Sequence, residues 1–161
     1  MFSGLDRGTG EIVWQRQVSD GSALIGGVFN NGAYDGRSII VAGNNGPPGP
    51  APDPPDRPRT HTVGTSVLLA MDPVTGDVRW QVDMPAWVWA PVTLTDGVAF
   101  VGVDRELRAF DTKTGAQLFS LETEGTIASA PAVVGRRVYF GSGLSYLPPT
   151  KFGRTVYALE G

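Results

Sequence analysis

The chain has 161 residues, a formal net charge of −3 and no cysteine. That length is enough for one domain with a core but not for several, and the lack of thiols excludes disulfide frameworks, thiol catalysis and Cys-ligated zinc. Glycine and proline together make up about a fifth of the chain, while only 18% of its residues are charged, which disfavours a helical bundle and favours a turn-rich β protein.

Charge and hydropathy patterns argue against two classes of partner. Lys and Arg never form a cluster longer than two residues, so we expect no binding to nucleic acid. No apolar run approaches the length of about 18 residues that a membrane span needs, and residues 1–10 lack the apolar core of a signal peptide. The sequence therefore predicts neither a membrane span nor a signal peptide in this chain.

An internal repeat organises the sequence. The pattern Asp-x-x-Thr-Gly, followed four residues later by an aromatic residue, occurs at residues 6–14, 72–80 and 111–119. Short segments rich in β-branched and aromatic residues lie between these copies and are bounded by Asp-Gly, Thr-Gly or Gly-Arg turn signals, as expected of antiparallel strands joined by hairpins. We therefore predict four strands in each repeat.

We name these strands A (Ala-Pro-Val), B (Val-x-Phe-x-Gly), C (Leu-x-Ala-x-Asp) and D (the strand with Trp). Along the chain their predicted order is C, D, A, B, C, D, A, B, C, D, A, B, C. Four strands in a period of about 40 residues are typical of a β-propeller blade. The predicted fold is all-β, with antiparallel four-stranded blades, and residues 1–161 form a partial propeller of about three blades.

Insertions interrupt the repeat at particular links. The Thr-Gly pairs at 9–10, 75–76 and 114–115 are unequally spaced, because extra residues lie between strands D and A and between strands B and C, including a Pro-rich loop insertion at 44–64. Since strands alternate in direction, all these links open on one face of the sheets, which we call the long-link face. Variable loops on a rigid scaffold often carry function, so we expect a site there.

The run Ala-x-Asp-x-x-Thr-Gly-x-x-x-Trp at residues 70–80, with its second copy at 102–119, resembles the repeats of pyrroloquinoline-quinone (PQQ) type β-propellers. Residues 130–143 and 156–159 are similar to the C-terminal blades of polyvinyl-alcohol-dehydrogenase-like quinoproteins. This resemblance implies PQQ and a divalent cation, usually Ca²⁺, on the propeller axis, with activity as a PQQ-dependent alcohol dehydrogenase and a periplasmic or extracellular location. The catalytic base and the cation ligands are not assigned to any residue.

Four residues are candidates for cofactor binding. Trp87 and Trp89 precede strand A near the axis, where the next repeat has Ile127 and Ser129, and a Trp at that position either stacks on a planar cofactor or fills the core. Asn30 and Asn31 offer amide oxygens that suit a cation, although Asn beside Gly is also ordinary turn chemistry. Asn44 and Asn45 present the same two alternatives.

Other aromatic and titratable residues carry a structural interpretation. Trp14, Trp80 and Phe119 occupy one repeated position in strand D, so we expect them to anchor neighbouring blades. His61 is the only histidine, which excludes a His-based triad or a multi-His metal site within this chain.

About three repeats fall short of the four to eight blades of a closed propeller. We therefore expect further blades or self-association to close the ring. Two functions are compatible with the sequence. The chain is a segment of a quinoprotein alcohol dehydrogenase-like protein whose redox site is incomplete here, or it is a cofactor-free scaffold for protein–protein interaction, resembling outer-membrane assembly lipoproteins.

Overall fold

The computed structural model describes residues 1–21, 26–28, 30–46, 64–143 and 152–161. These residues form thirteen strands and no helix. The strands follow the predicted order of types, which starts with a C strand and ends with a C strand. The strands are β1 Phe2–Leu5, β2 Ile12–Arg16, β3 Ala33–Tyr34, β4 Ile39–Asn44, β5 Ser66–Met71, β6 Val78–Met84, β7 Thr93–Thr95, β8 Val98–Val103, β9 Glu106–Asp111, β10 Gln117–Glu122, β11 Ala132–Val134, β12 Arg137–Ser142 and β13 Thr155–Glu160.

The strands pair into four antiparallel sheets. Two sheets are complete four-stranded blades, with orders β3-β4-β5-β6 and β7-β8-β9-β10, while β1-β2 and β11-β12-β13 are a two-stranded and a three-stranded sheet. Each complete blade runs A, B, C, D, which confirms the predicted strand order and the partial propeller of about three blades. The predicted position of strand A is corrected, because β7 begins at Thr93 and β11 at Ala132, after the Ala-Pro pairs. Among the described residues no helix is long and apolar enough to cross a membrane.

The core lies between successive sheets. In the first complete blade both faces of strands B and C are covered, so β4 and β5 are buried along almost their whole length, whereas β10 at the outer edge of the second blade is largely exposed. One apolar cluster joins the two complete blades, and smaller clusters join each of them to the neighbouring partial sheet. Burial of both faces explains why these strands carry near-continuous apolar runs rather than strict alternation.

The repeated Asp-x-x-Thr-Gly forms the C–D turn. In the second copy, Asp72 Oδ1 accepts hydrogen bonds from the backbone N–H of Val74 at 2.8 Å and of Thr75 at 3.1 Å. Gly76 closes the turn with φ +73°, a conformation that glycine adopts without steric cost. The same carboxylate cap and positive φ recur in the other two copies, so the repeat encodes one turn three times.

The strand-D tryptophans lock one blade to the next, which confirms their predicted anchoring role. Trp14 Nε1 donates to Pro73 O at 3.0 Å, and Trp80 Nε1 donates to Thr112 O at 2.9 Å. Each indole ring lies over the turn glycine of the following repeat. Phe119, the third copy, is 41% exposed.

The described parts of the long links meet on one face, as predicted. Asp20 N, after β2, donates to Asn45 Oδ1, after β4, at 2.9 Å. Arg154 N, before β13, donates to Glu124 Oε1, after β10, at 2.8 Å. Most of the Pro-rich insertion at 44–64, with His61, lies outside the described residues, and its extent as a loop stays a prediction.

Candidate functional site on the long-link face

The D–A links have a common geometry at the long-link face. The residue that ends or follows strand B donates its N–H to the D–A link of its own blade, from Asn44 to Gly27 O at 3.0 Å and from Asp104 to Trp87 O at 3.0 Å. Gly143 makes the same bond to Thr126 O at 2.9 Å. Gly27, Trp87 and Thr126 therefore occupy equivalent positions in the three D–A links, just before strand A.

The Val88 peptide is held by side-chain amides that come from the preceding blade. Asn44 Nδ2 donates to Val88 O at 3.0 Å, while Asn44 Oδ1 accepts from Val88 N at 2.9 Å. Asn30 Nδ2 also donates to Val88 O, at 3.0 Å. Asn44 and Val88 are buried, so these bonds satisfy polar groups that water does not reach. Both amide atoms of Asn44 thus have an inter-blade role.

The two candidate tryptophans pack against each other beside this peptide. Their ring centroids are 5.9 Å apart with an interplanar angle of 83°, the edge-to-face arrangement that aromatic pairs favour. Trp87 is only 5% exposed, and its Nε1 donates to Asn45 O at 2.7 Å. Trp89 is half-buried. Trp89 is therefore the more accessible of the two tryptophans.

The structure brings three of the four predicted site residues together and leaves the fourth at the surface. Trp87, Trp89 and Asn30 converge around Val88, whereas Asn31 lies next to Asn30 with its side chain exposed. Sequence reasoning missed the contact between Asn44 and Val88. The available signal was a polar residue at the end of strand B, which recurs as Asp104 in the next repeat.

Asp104 makes the corresponding contact at the next junction. Thr126 Oγ1 donates to Asp104 Oδ1 at 2.9 Å, and Ile127 N donates to Asp104 O at 2.7 Å. Thr126 and Ile127 are buried. At two successive junctions, therefore, the residue that ends or directly follows strand B holds the next D–A link, with an amide in Asn44 and a carboxylate in Asp104.

Glu124 is a second carboxylate on this face. It accepts hydrogen bonds from Arg154 N and from the Thr155 hydroxyl, and the Thr155 bond, followed by the Arg154 bond, holds the pKa of Glu124 below its ordinary value. Within the described residues no three His, Cys, Asp or Glu side chains come together as a metal-binding group.

Two of the four asparagine side-chain oxygens on this face accept hydrogen bonds within the fold. Ca²⁺ takes about six to eight oxygen ligands, whereas Asn44 Oδ1 already accepts from Val88 N and Asn45 Oδ1 from Asp20 N. Neither of these two oxygens is therefore free to bind a cation in this arrangement.

A cleft with a mixed polar and apolar lining opens beside the long links. Its volume is about 920 Å³, and it lies between the β1-β2 sheet and the first complete blade. Its lining includes Gln17, Asp20, Asn45, Ser66, Gln81 and Asp83. Neither candidate tryptophan lines this cleft, so it is separate from the cluster around Val88.

Known proteins share this repeat architecture. The family model described as outer membrane protein assembly factor BamB matches residues 3–159. A polyvinylalcohol dehydrogenase of Sphingopyxis sp. is 31% identical over 167 residues, which cover 94% of this chain and 23% of that protein. Quinoprotein alcohol dehydrogenase PedE of Pseudomonas putida is 42% identical over 71 residues, which cover 43% of this chain and 11% of that protein. The chain thus spans less than a quarter of the length of either curated relative.

A solved structure supports the fold. BamB from Moraxella catarrhalis matches with a TM-score of 0.61 and 22% sequence identity, over 86% of this chain and 36% of that one. At that identity the likeness is one of fold alone.

Proposed function

The chain belongs to the PQQ-repeat family described as outer membrane protein assembly factor BamB, and from that premise we propose that it forms part of the propeller of an alcohol-oxidising quinoprotein. In this proposal the long-link face borders a quinone site that residues outside this chain complete. The names of the two dehydrogenase relatives support the proposal, and so does the aromatic pair at this face.

The observation that carries the proposal is the position of Trp89. Its half-buried ring packs edge-on against the buried Trp87, and the bonds between Asn44 and the Val88 peptide fix the link that holds both rings. A planar cofactor needs a flat aromatic wall whose position is set before binding. We assign ligand contact to Trp89 and Asn31 and the support of that wall to Trp87 and Asn30.

The cation that accompanies the quinone in this proposal takes most of its ligands from elsewhere in the assembled propeller, because Asn44 Oδ1 and Asn45 Oδ1 already accept hydrogen bonds within the fold. The proposed partners are therefore further propeller blades or a second copy that close the ring. Following the family resemblance, the proposed location is periplasmic or extracellular.

Cofactor addition tests the proposal. Purified chain is titrated with PQQ, and the quinone absorbance is followed as a measure of binding, which does not require the residues that complete the redox site. We expect Trp89→Ala to weaken quinone binding at least tenfold, whereas the matched control Tyr34→Ala, at an exposed aromatic on the opposite face, leaves it unchanged. Absence of binding, or equal binding by both variants, would contradict the proposal for this face.

A second candidate function is a cofactor-free propeller that binds other proteins. It is favoured by the description of the matching family model and by the amides that are already engaged around Val88. Under this alternative the long-link face binds no quinone, and Trp89→Ala changes only the binding of a protein partner. The quinone titration separates the two functions, because only the first gives a spectral change that depends on Trp89.

A further inference from the structure

The tripeptide Asn-Asn-Gly occurs twice on the long-link face, at residues 30–32 and 44–46. The first Asn of each copy, Asn30 or Asn44, donates its Nδ2 to Val88 O at 3.0 Å. The second Asn precedes glycine, whose lack of a side chain lets its backbone nitrogen approach the Asn amide closely. Because the two copies have the same sequence, any difference in their reactivity must come from their surroundings.

The second copy is held at both groups that would react. Asn45 Oδ1 accepts a hydrogen bond from Asp20 N at 2.9 Å, and Gly46 N donates to Gly21 O at 3.3 Å. The Asn45 C=O also accepts from Trp87 Nε1 at 2.7 Å. Attack of Gly46 N on the Asn45 side chain therefore requires these hydrogen bonds to break first.

The first copy lacks such restraints in the part of the chain that the structure describes. Asn31 and Gly32 are both exposed, and neither the Asn31 side chain nor Gly32 N makes a hydrogen bond with a described residue. The adjoining hairpin explains this. Asp35 N donates to Ser38 O, and hydrogen-bonded and non-hydrogen-bonded pairs alternate along an antiparallel ladder. The N–H of Gly32 consequently points away from β4.

We propose that Asn31 is a site of spontaneous modification, at which asparagine is converted to aspartate and isoaspartate while Asn45 stays intact. Gly32 N loses its proton to hydroxide and attacks Asn31 Cγ. The new N–Cγ bond closes a succinimide ring, the Cγ–Nδ2 bond breaks, and Nδ2 takes a proton from water and leaves as ammonia.

Water then opens the succinimide ring. Addition of water at Cγ breaks the N–Cγ bond and gives aspartate, whereas addition at the main-chain carbonyl carbon of residue 31 breaks the original peptide bond and gives isoaspartate. No oxidant or reductant takes part in either step. The inference goes beyond the proposed function and does not depend on it.

Either product adds one negative charge to the long-link face, and isoaspartate also adds a methylene group to the main chain between Asn30 and β3. Asn30 is bonded to Val88 O in the next D–A link, while β3 is fixed by its pairing with β4. The longer connection should therefore weaken the contact between Asn30 and Val88, and the added charge alone should not.

Peptide mapping by mass spectrometry tests the proposal. The full chain is incubated at mildly alkaline pH, and timed samples are digested to measure the mass gain of replacing NH₂ by OH at each site. We expect Asn31 to react faster than Asn45 by about tenfold or more in the folded chain, because only Asn45 must first lose hydrogen bonds. In chain unfolded by urea, both sites lose their surroundings and the two rates should become similar.

Similar rates at the two sites in the folded chain, or a faster reaction at Asn45, would overturn the proposal. An Asn31 product that contains aspartate without isoaspartate would also overturn it, because direct hydrolysis of the side-chain amide gives aspartate alone. Absence of any product at Asn31 after the unfolded chain has reacted completely would do the same.

Asn31→Asp is the matched control for the structural consequence, since it carries the added charge without the added methylene. We expect the isoaspartate form to unfold at a lower urea concentration than Asn31→Asp. Equal midpoints would contradict the loss of the contact between Asn30 and Val88. None of these measurements involves PQQ, so their failure is distinguishable from failure of the quinone titration.

Discussion

The indole ring of Trp80 lies over Gly115, so close that a Cβ on that glycine would be 2.8 Å from Trp80 Cε3. Gly115 has φ +74°, so both the turn and the neighbouring ring require glycine there. Trp14 and Gly76 repeat the relationship one blade earlier. The Thr-Gly pair thus joins local turn geometry to the contact between blades, which explains why the Thr-Gly pair and the aromatic residue recur together.

Substituting the glycines of two equivalent turns separates these two requirements. Gly115→Ala should lower the free energy of unfolding by about 2–4 kcal/mol, because it combines backbone strain with a clash against the ring. Gly10→Ala is the matched control, since Gly10 has φ +77° with nothing near its Cβ position, and it should cost about 1–2 kcal/mol. Urea unfolding of both variants checks the difference, and equal losses would contradict the role of the ring.

Truncation of the strand-D aromatics should have unequal effects. Trp80→Ala should cost about 3 kcal/mol by removing a large packed ring, and Trp80→Phe about 1 kcal/mol by removing the bond from Nε1 to Thr112 O. Phe119→Ala should cost less than about 1 kcal/mol in the isolated chain, because that ring is 41% exposed. Thermal or urea unfolding measures all three, and a loss at Phe119 as large as that at Trp80 would contradict the account.

Asn44 should stabilise the junction between blades at the long-link face. Asn44→Ala leaves the buried Val88 peptide without its two amide contacts from that residue, which should cost about 2–3 kcal/mol. Asn31→Ala, at an exposed neighbour of the cluster, should change stability by less than about 0.5 kcal/mol. If urea unfolding gave similar values for the two variants, the contact between Asn44 and Val88 would not stabilise the junction.

The carboxylates of the three C–D turns should determine how stability falls at acidic pH. The Arg79 side chain and two backbone N–H groups hold the pKa of Asp72 below its ordinary value, and hydrogen bonds do the same for the pKa of Asp6 and Asp111. A carboxylate whose pKa is lower in the folded than in the unfolded chain stabilises the fold at any pH above its unfolded-state pKa of about 3.9. This stabilisation is lost as the pH falls through the folded-state pKa.

Stability should therefore change little between pH 7 and 5 through these groups and fall below about pH 4. Asp72→Asn cannot titrate and should show a smaller loss between pH 5 and 2.5 than the wild-type chain, as measured by urea unfolding at each pH. An unchanged acid branch in this variant would show that the turn carboxylates do not set the limit.

Much of the fold could be predicted from the sequence because each repeat carries its own turn chemistry. Asp72, Thr75 and Gly76 specify a C–D turn locally, and three copies of that turn fix the strand order. The register before strand A was harder to predict. Aligning the two Ala-Pro pairs puts Trp87 opposite Ile127, whereas the backbone bonds pair Trp87 with Thr126.

That shift of one residue has a physical reason. Hydrogen bonding between strands A and B sets the register through the pairs Thr93↔Phe100 and Ala132↔Tyr139. The Ala-Pro pairs lie outside these strands, so matching them in the sequence does not determine which residues are paired. The contact between Asn44 and Val88 could not be predicted either. Asn44 binds the backbone N–H and C=O of Val88, and any residue type at position 88 has a C=O, so the residue type there does not reveal the contact.

Binding of a quinone to the long-link face through Trp89 is tested most directly by an amide chemical-shift map of the isotopically labelled chain titrated with PQQ. We expect shifts confined to residues 30–31 and 86–90, which disappear in Trp89→Ala and persist in Tyr34→Ala. Shifts centred instead on the opposite face around Tyr34 and Asp35, or no shifts at saturating PQQ, would contradict it.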